Sequence, residues 1–404
     1  MDWIAGSGVA ELRERFQHEL FAQWLPFWED HGIDHELGGF VCGLDYDGTL
    51  VHSDKFVWFQ GRGIWTFSFL YNHFQAEPRW LETTRKTKDF LMSHAIQPDG
   101  AWASALSRDG RCLATAKGDP YGAYFAVEGL LEYAHAAKDS EALENGLGLF
   151  RKLYWDWTRP DAEFGGAGGA GFIPQGFWMV NLRIATQYLR RNPDSEIQSI
   201  ADACIDAILG RHYNPEIGLT CEYAARDGRR PAGLERLCNF GHSIETLWMV
   251  LDEANRRGDR GLAETAIRRI RRHLDAGWDA PHGGLIHAVN HGRRDYVWPV
   301  ERPPGTELEF RFTGEYHYMK TSWALDEILI ATLKVLASQP AGWAEDYFGR
   351  ALRTLDEKFS RRTQGQPTYM LFADRAMTAQ PRSTRQDNYH RPRALMSCLL
   401  ALAP

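Results

Sequence analysis

Three short stretches of this chain combine residue types and spacing suited to proton transfer. Gly241-His242-Ser243-Ile244-Glu245 reads as the opening of a helix, with Asn239 placed to cap it. His242 and Glu245 stand three apart and share a face that points away from the stripe of Ile244, Leu247, Trp248 and Leu251. An imidazole in a first helical turn feels the positive end of the helix dipole, which favours its neutral, basic form. A carboxylate beside it can hold its tautomer and support the cation formed on proton capture. In Asn388-Tyr389-His390-Arg391-Pro392-Arg393 the proline is tolerated near a helix start, so His390 also sits at an N-terminus, with Arg393 one turn on. Arg393 can bind a substrate oxygen or an enediolate oxyanion. In Phe56-Val57-Trp58-Phe59-Gln60-Gly61-Arg62, the arginine lies among apolar groups and needs a partner, because an unpaired buried charge is expensive. Each stretch also has a plainer reading: a capping histidine with a first-turn glutamate, a basic C-terminal surface helix, and a buried ion pair at Arg62.

The elements that must position these residues are helices. Leu12, Phe16, Leu20 and Trp24 recur about every four residues, the spacing of a half-buried helix. Between helical runs lie six Gly-punctuated segments that alternate apolar and polar residues as small hairpins do: Gly39-Phe40-Val41, Ala101-Trp102-Ala103, Gly165-Gly166-Ala167, Gly218-Leu219-Thr220, Gly284-Leu285-Ile286 and Pro367-Thr368-Tyr369. Asp47-Gly48, Asp109-Gly110, Asp227-Gly228 and His291-Gly292 supply turn signals. Their starts fall about 50 to 85 residues apart, room for two helices each. The expectation is an all-α fold, an (α/α)6 barrel with short β-hairpins at one mouth, forming a single domain over residues 1–404; an irregular helical array is the alternative. In such a toroid one helix of each pair lines the inside. Counting about 20 residues past the hairpins reaches Arg62, Tyr121, His242 and His390, so polar groups from different repeats converge at one mouth.

Composition narrows the partners. The chain has 404 residues, 44% apolar and 25% charged, with a formal charge of −7, which argues against nucleic acid or an anionic membrane. No apolar run approaches the roughly 18 residues of a membrane-spanning helix. Met1-Asp2-Trp3-Ile4 lacks the basic and apolar parts of a signal peptide, and six scattered cysteines without a C-x-x-C pair suggest reduced thiols; a cytoplasmic location is expected. Fifteen tryptophans suit either a large core or a pocket whose aromatic faces stack on sugar C–H surfaces. The glycine-rich run 165–171 lacks the Lys-Ser/Thr ending of a phosphate loop. His282, His287 and His291 do not have a recognised zinc spacing, and Asp45 and Asp47 read as a turn rather than a calcium loop, so no metal is expected.

Together, Trp58-x-Gln60-Gly61-Arg62, Gly241-His242-x-x-Glu245 and Tyr389-His390-x-Pro392-Arg393 resemble the signatures of the N-acylglucosamine 2-epimerase superfamily, which also holds cellobiose 2-epimerases and mannose-type aldose–ketose isomerases. Gly38-Gly39-Phe40 and Phe125-x-x-x-Gly129-Leu130-x-x-Tyr133 extend the likeness over nearly the whole chain. The resemblance implies an (α/α)6 barrel, makes His242 and His390 the proton-transfer pair, and places Arg62, Glu245 and Arg393 around the substrate carbonyl. Trp323-Ala324-Leu325-Asp326-Glu327 is similar to a further family segment and adds Glu327. Trp58, Tyr121, Asn181 and Trp323 complete the expected substrate-facing set. Leu325 stands where the acylglucosamine branch typically has histidine, and Trp178-Met179-Val180-Asn181 departs from the cellobiose branch, which is ranked lowest. No cofactor is implied; a homodimer is a family expectation; some members respond to a nucleotide effector, to which nothing in this chain points.

Such a site explains the need for two bases. The C2 proton of an open-chain aldose is acidified by the adjacent carbonyl; one histidine removes it, and an arginine stabilises the enediolate. Returning a proton to the opposite face of C2 gives the 2-epimer, most plausibly between N-acyl-D-glucosamine and N-acyl-D-mannosamine; returning it to C1 gives a ketose. Mannose or glucose-type sugars are the alternative substrates. Two rival classes use the same fold: an inverting glycoside hydrolase with Glu245 and Glu327 as its carboxylates, and a non-catalytic sugar-binding toroid.

Overall fold

The computed structural model describes residues 3–45, 47–165, 168–290, 318–361, 366–368, 372–373, 375–378 and 387–403. Its helices are α1 (Val9–His18), α2 (Leu25–Phe27), α3 (Val57–His73), α4 (Pro78–His94), α5 (Tyr121–Ala137), α6 (Ser140–Thr158), α7 (Gln175–Leu189), α8 (Ser195–Asp206), α9 (Phe240–Arg257), α10 (Arg260–Gly277), α11 (Ser322–Ser338), α12 (Gly342–Thr354) and α13 (His390–Ala401). Two kinds of helix alternate. α11 is apolar on nearly every side and buries almost all of its length, whereas α10 buries only a stripe of Ala266, Ile267, Ile270, His273, Leu274 and Gly277. A helix apolar all round belongs inside, and one with a single apolar stripe belongs outside. The inner helices α3, α5, α7, α9, α11 and α13 pack each on the next, and α13 returns to α3. This is the expected (α/α)6 toroid.

The sixth pair is closed by the two ends of the chain. α1 and α2, joined through the π-helical turn Glu19–Trp24 and continued by Trp28–Gly32, take the outer place beside α13. Leu12, Phe16, Leu20 and Trp24 all point into the core. The closure is electrostatic as well as apolar. Buried Arg391 of α13 donates to both carboxylate oxygens of Glu19 at 2.7 Å and to Asp326 of α11 at 2.8 Å.

The inner ring is tight where glycines allow it. A Cβ at Gly61 of α3 would lie 2.3 Å from the backbone of Phe125, and one at Gly129 of α5 would lie 2.6 Å from the Gly61 carbonyl oxygen. Two motif glycines thus permit one helix crossing.

Some of the expected hairpins are present and others are not. Gly43–Leu44 pairs with Leu50–His52 around Asp47-Gly48, Ala103–Leu106 with Cys112–Thr115 around Asp109-Gly110, and Leu219–Thr220 with Tyr213–Asn214. At Gly39-Phe40, Trp102 and Leu285 the chain makes only isolated bridges, Ile33 with Phe40, Ile96 with Trp102 and Trp278 with Leu285. Several strand pairs instead join neighbouring repeats: Lys55–Phe56 with Ala103–Leu106, Phe172–Pro174 with Tyr223–Ala225, and Leu237–Asn239 with Ala288–Asn290. The strand that leads into an inner helix is therefore pinned by a strand from an adjacent repeat, which fixes the height of that helix's N-terminus. Gly166, Ala167, His291, Gly292 and Tyr369 lie outside the described residues.

An internal repeat also anchors these entries. Buried Lys55, just before α3, donates to Asp34 at 3.0 Å and to the Gly38 carbonyl at 2.7 Å; buried Lys320, just before α11, does the same to Asp279 at 2.8 Å and Gly283 at 2.7 Å. Arg108 and Arg375 complete the two clamps on Asp34 and Asp279, each at 2.9 Å. Among the described residues no helix is long and apolar enough to cross a membrane.

The packing makes a paired stability prediction. Gly61→Ala forces a methyl against backbone and should cost about 1–3 kcal/mol, as overpacked sites do. Gly148→Ala, in α6 with nothing within 4 Å of the new methyl, should stabilise by roughly 0.5–1 kcal/mol through helix propensity. Urea unfolding of the two variants reads both signs.

Candidate active site

The mouth of the barrel is lined by the N-termini of the inner helices, where backbone N–H groups are unpaired and positive potential is highest. His242 is the third residue of α9; its backbone N–H donates to the Asn239 cap at 3.2 Å. Gly241 clears space beside it, since a Cβ there would sit 2.4 Å from the Trp323 indole. His390 is the first residue of α13. Asp387 accepts from the backbone N–H groups of Tyr389 and Arg391, each at 3.0 Å, and Asn388 donates to the Phe59 carbonyl at 3.0 Å, so this entry is tied to α3. The Trp323 ring lies 5.6 Å from the His242 ring and 5.2 Å from the His390 ring, bringing both imidazoles to one indole.

Both imidazoles meet a carboxylate through the same atom. His390 Nδ1 is 2.8 Å from Glu327, and His242 Nδ1 is 3.2 Å from Glu222. Donation from Nδ1 to a carboxylate selects the tautomer whose Nε2 carries the free lone pair, the arrangement of a general base. The two differ in charge. Burial disfavours the His242 cation, but the charge and hydrogen bond of Glu222, with Glu245 adding, outweigh it and raise its pKa. Burial pushes His390 down to about 3; Asp387 opposes this, and the guanidiniums of Arg62 and Arg393 add to it. One histidine is held neutral while the other keeps a proton more readily.

Glu222 is the residue that sequence reasoning missed, and Glu245 does not hold His242 as expected. Glu245 and Glu327 turn instead to Arg393, whose Nη2 lies 2.5 Å from Glu245, hydrogen-bonds Glu327 and stands 3.2 Å from His390 Nδ1. Arg393 is 1% exposed; its Nη2 is committed to buried carboxylates, while its Nε and Nη1 are buried without a hydrogen-bond partner. Arg393 thus carries a structural contact that its expected role at a substrate oxygen did not include. Among the described residues, Glu245, Glu327 and His390 are the trio whose ligand atoms lie close enough, within 4.8 Å, to hold a metal; the Arg393 guanidinium occupies that place.

Arg62 is held by rings rather than carboxylates. Its guanidinium carbon lies 4.8 Å from the Trp58 ring, 4.1 Å from Phe125 and 4.6 Å from Tyr389. Its Nε is buried without a hydrogen-bond partner, and among the described residues Arg62 makes no ion pair. Among the described residues the buried ion pair is not found: ring faces support the charge and Nε is left without a partner. Gln60, two residues before, is structural. Its amide accepts from the Phe40 N–H at 2.6 Å and donates to the Phe40 carbonyl at 2.8 Å, so the Gly38-Gly39-Phe40 and Trp58-to-Arg62 motifs are one physical unit.

Tyr121 opens α5 with its backbone N–H on Asp119 at 2.8 Å. Burial, with Glu245 adding, raises its pKa, and Arg62 and Glu222 also act on it, which places its phenol at this site. Asn181 is not brought there: it is fully buried and donates at 2.7 Å to the Phe177 carbonyl of its own helix. Leu325 lies in the core on the side of α11 opposite Trp323 and Glu327.

The strand that delivers Glu222 is held by two buried histidines. His212 Nδ1 is 2.9 Å from the Cys221 carbonyl, and His273 Nε2 accepts from the Thr220 N–H at 2.9 Å. The signal available in the sequence was a lone glutamate two residues beyond Gly218-Leu219-Thr220, in an otherwise apolar hairpin.

Residues 38–156 match the family model described as N-acylglucosamine 2-epimerase (GlcNAc 2-epimerase). The chain is similar to the N-acylglucosamine 2-epimerase of Mus musculus, 28% identical over 335 residues, covering 80% of this chain and 75% of that protein. It is also similar to the cellobiose 2-epimerase of Bacteroides fragilis, 26% identical over 341 residues, covering 75% and 83%. Among solved structures, the cellobiose 2-epimerase of Bacillus thermoamylovorans shares the fold with a TM-score of 0.79 at 16% identity, covering 97% of this chain and 99% of that one.

Two measurements check this electrostatic description. Glu222→Gln removes the charge that raises His242, so the imidazole titration followed by proton NMR should shift to lower pH; an unchanged midpoint contradicts the assignment. Burial also pushes His212 and His273 down to about 4. The unfolded chain binds protons near pH 6.5 that the folded chain refuses, so stability is full above pH 6.5 and falls as pH drops towards 4. The loss is about 3 kcal/mol per histidine. Urea unfolding of His273→Gln should show a shallower acid loss between pH 6.5 and 4.5 than the parent.

Proposed function

We propose that this chain, which belongs to the N-acylglucosamine 2-epimerase superfamily and is an isomerase, interconverts N-acyl-D-glucosamine and N-acyl-D-mannosamine by proton transfer at C2. The observation that carries the reading is the pair of imidazoles at one indole, each presenting Nδ1 to its own carboxylate.

The open-chain sugar places its C1 carbonyl oxygen against the Arg62 N–H donors. His390, neutral at physiological pH, takes the C2 proton on Nε2; the C–H electron pair becomes the C1=C2 bond and the carbonyl π pair moves to O1. The resulting 2-acylamino enolate is stabilised by Arg62, whose charge is supported by rings. His242, which holds a proton more readily, delivers it to the opposite face of C2. In the reverse direction the roles exchange. Glu222 and Glu327 keep each tautomer and support each imidazolium. Trp323, Trp58 and Tyr121 form the wall against which the sugar rests.

The glycosidase rival does not suit this geometry. Glu245 and Glu327 carry oxygens within 4.8 Å of each other, closer than the roughly 6.5–9.5 Å of inverting pairs, and one buried guanidinium binds both. Leu325 points into the core, so its departure from the acylglucosamine pattern removes no substrate contact.

Proton NMR in deuterium oxide tests the function. With N-acetylmannosamine or N-acetylglucosamine, deuterium should appear at C2 of both epimers. A ketose labelled at C1 formed from mannose would replace the epimerase reading with an isomerase one, and absence of exchange with acylated sugars but C2 exchange with mannose or cellobiose would replace the substrate. Arg62→Lys keeps the charge but loses the planar donors, and should lower kcat by about 10²-fold or more while the protein stays folded.

A further inference from the structure

Resting on the epimerase reading, we propose that Tyr389, tethered to Glu128, is the positioning residue that sets the Arg62 guanidinium for the developing oxyanion. Tyr389 is 1% exposed and precedes His390 in the chain. Its ring is the common support of the site's arginines: the guanidinium carbons of Arg62, Arg393 and Arg183 lie 4.6, 4.4 and 5.7 Å from its centroid. Arg393 has its own carboxylates, and Arg183 is paired with Glu128. Among the described residues Arg62 meets ring faces and no carboxylate, so its position depends on those rings.

The ring is itself fixed at three points. Its hydroxyl donates to Glu128 at 3.0 Å, and Glu128 is 3% exposed. Trp65 and Phe125 meet its edge or face at 5.3 and 5.6 Å in T-shaped contacts. Its backbone N–H and carbonyl are held by Asp387 at 3.0 Å and the Arg393 N–H at 2.9 Å. A phenol that donates to a buried carboxylate also becomes more electron-rich, which strengthens the attraction of its face for a cation. The tether therefore acts on Arg62 twice, through ring pitch and through ring charge, although Glu128 itself never meets the substrate.

Tyr389→Phe keeps the ring and removes the tether. The expected result is a folded protein whose kcat for C2 exchange falls about ten-fold with KM within about two-fold, because the lost interaction belongs to the oxyanion rather than the bound sugar. In an Arg62→Lys background the same change should have little further effect. Equal ten-fold losses in both backgrounds, or a loss appearing only in KM, would overturn the proposal. A second readout does not depend on turnover. The Arg62 Nε–H resonance, assigned by its loss in Arg62→Lys, is shifted by the surrounding rings and should move in both Tyr389→Phe and Glu128→Gln. An unmoved resonance overturns the proposal even if the epimerase reading stands; a moved resonance in a protein without C2 exchange upholds the positioning and rejects the reading on which its purpose rests.

Discussion

The buried contact of Arg393 with Glu245 and Glu327 is the constraint on which the rest of this site depends. It joins α9, α11 and α13 at the height of both histidines. Removing one member of such a cluster strands a charge in a low-dielectric interior, typically at about 3–5 kcal/mol. Glu327 meets both Arg393 and His390 through Oε1, while its Oε2 receives the Trp248 indole N–H at 2.8 Å. The imidazole is oriented because the carboxylate cannot turn.

From that contact follows a division of labour among the cations. Arg393 and Arg391 are matched by carboxylates and hold helices together. Arg62 is matched by aromatic faces, with Nε left without a partner. The histidines divide in the same way: Glu222 lifts one, while burial and neighbouring guanidiniums depress the other. A reaction that must move one proton off a carbon and another onto its opposite face is served by two groups of unequal proton affinity, each with a fixed tautomer.

Much of this was legible in the chain. Alternation of wholly apolar and one-sided helices announces a two-layered ring, and polar residues at equivalent repeat positions announce its working mouth. What was not legible lies between segments. The i, i+3 spacing of His242 and Glu245 suggests a pair within one helix, yet each finds its partner on another element, Glu222 before α9 and Arg393 on α13. Closure of the sixth repeat joins residues 372 positions apart, a pairing that periodicity does not carry. Asn181 shows the reverse error: an inner-helix polar residue can face its own backbone instead of the lumen.

The central claim is that two histidines act on opposite faces of one enolate, and single-histidine variants in deuterium oxide test it most directly. His242→Asn and His390→Asn, each given both epimers separately, should each exchange the C2 proton of only one epimer, and of different ones, without forming the other. Loss of exchange with both epimers in one variant while the other retains full epimerisation would show that a single base does the chemistry.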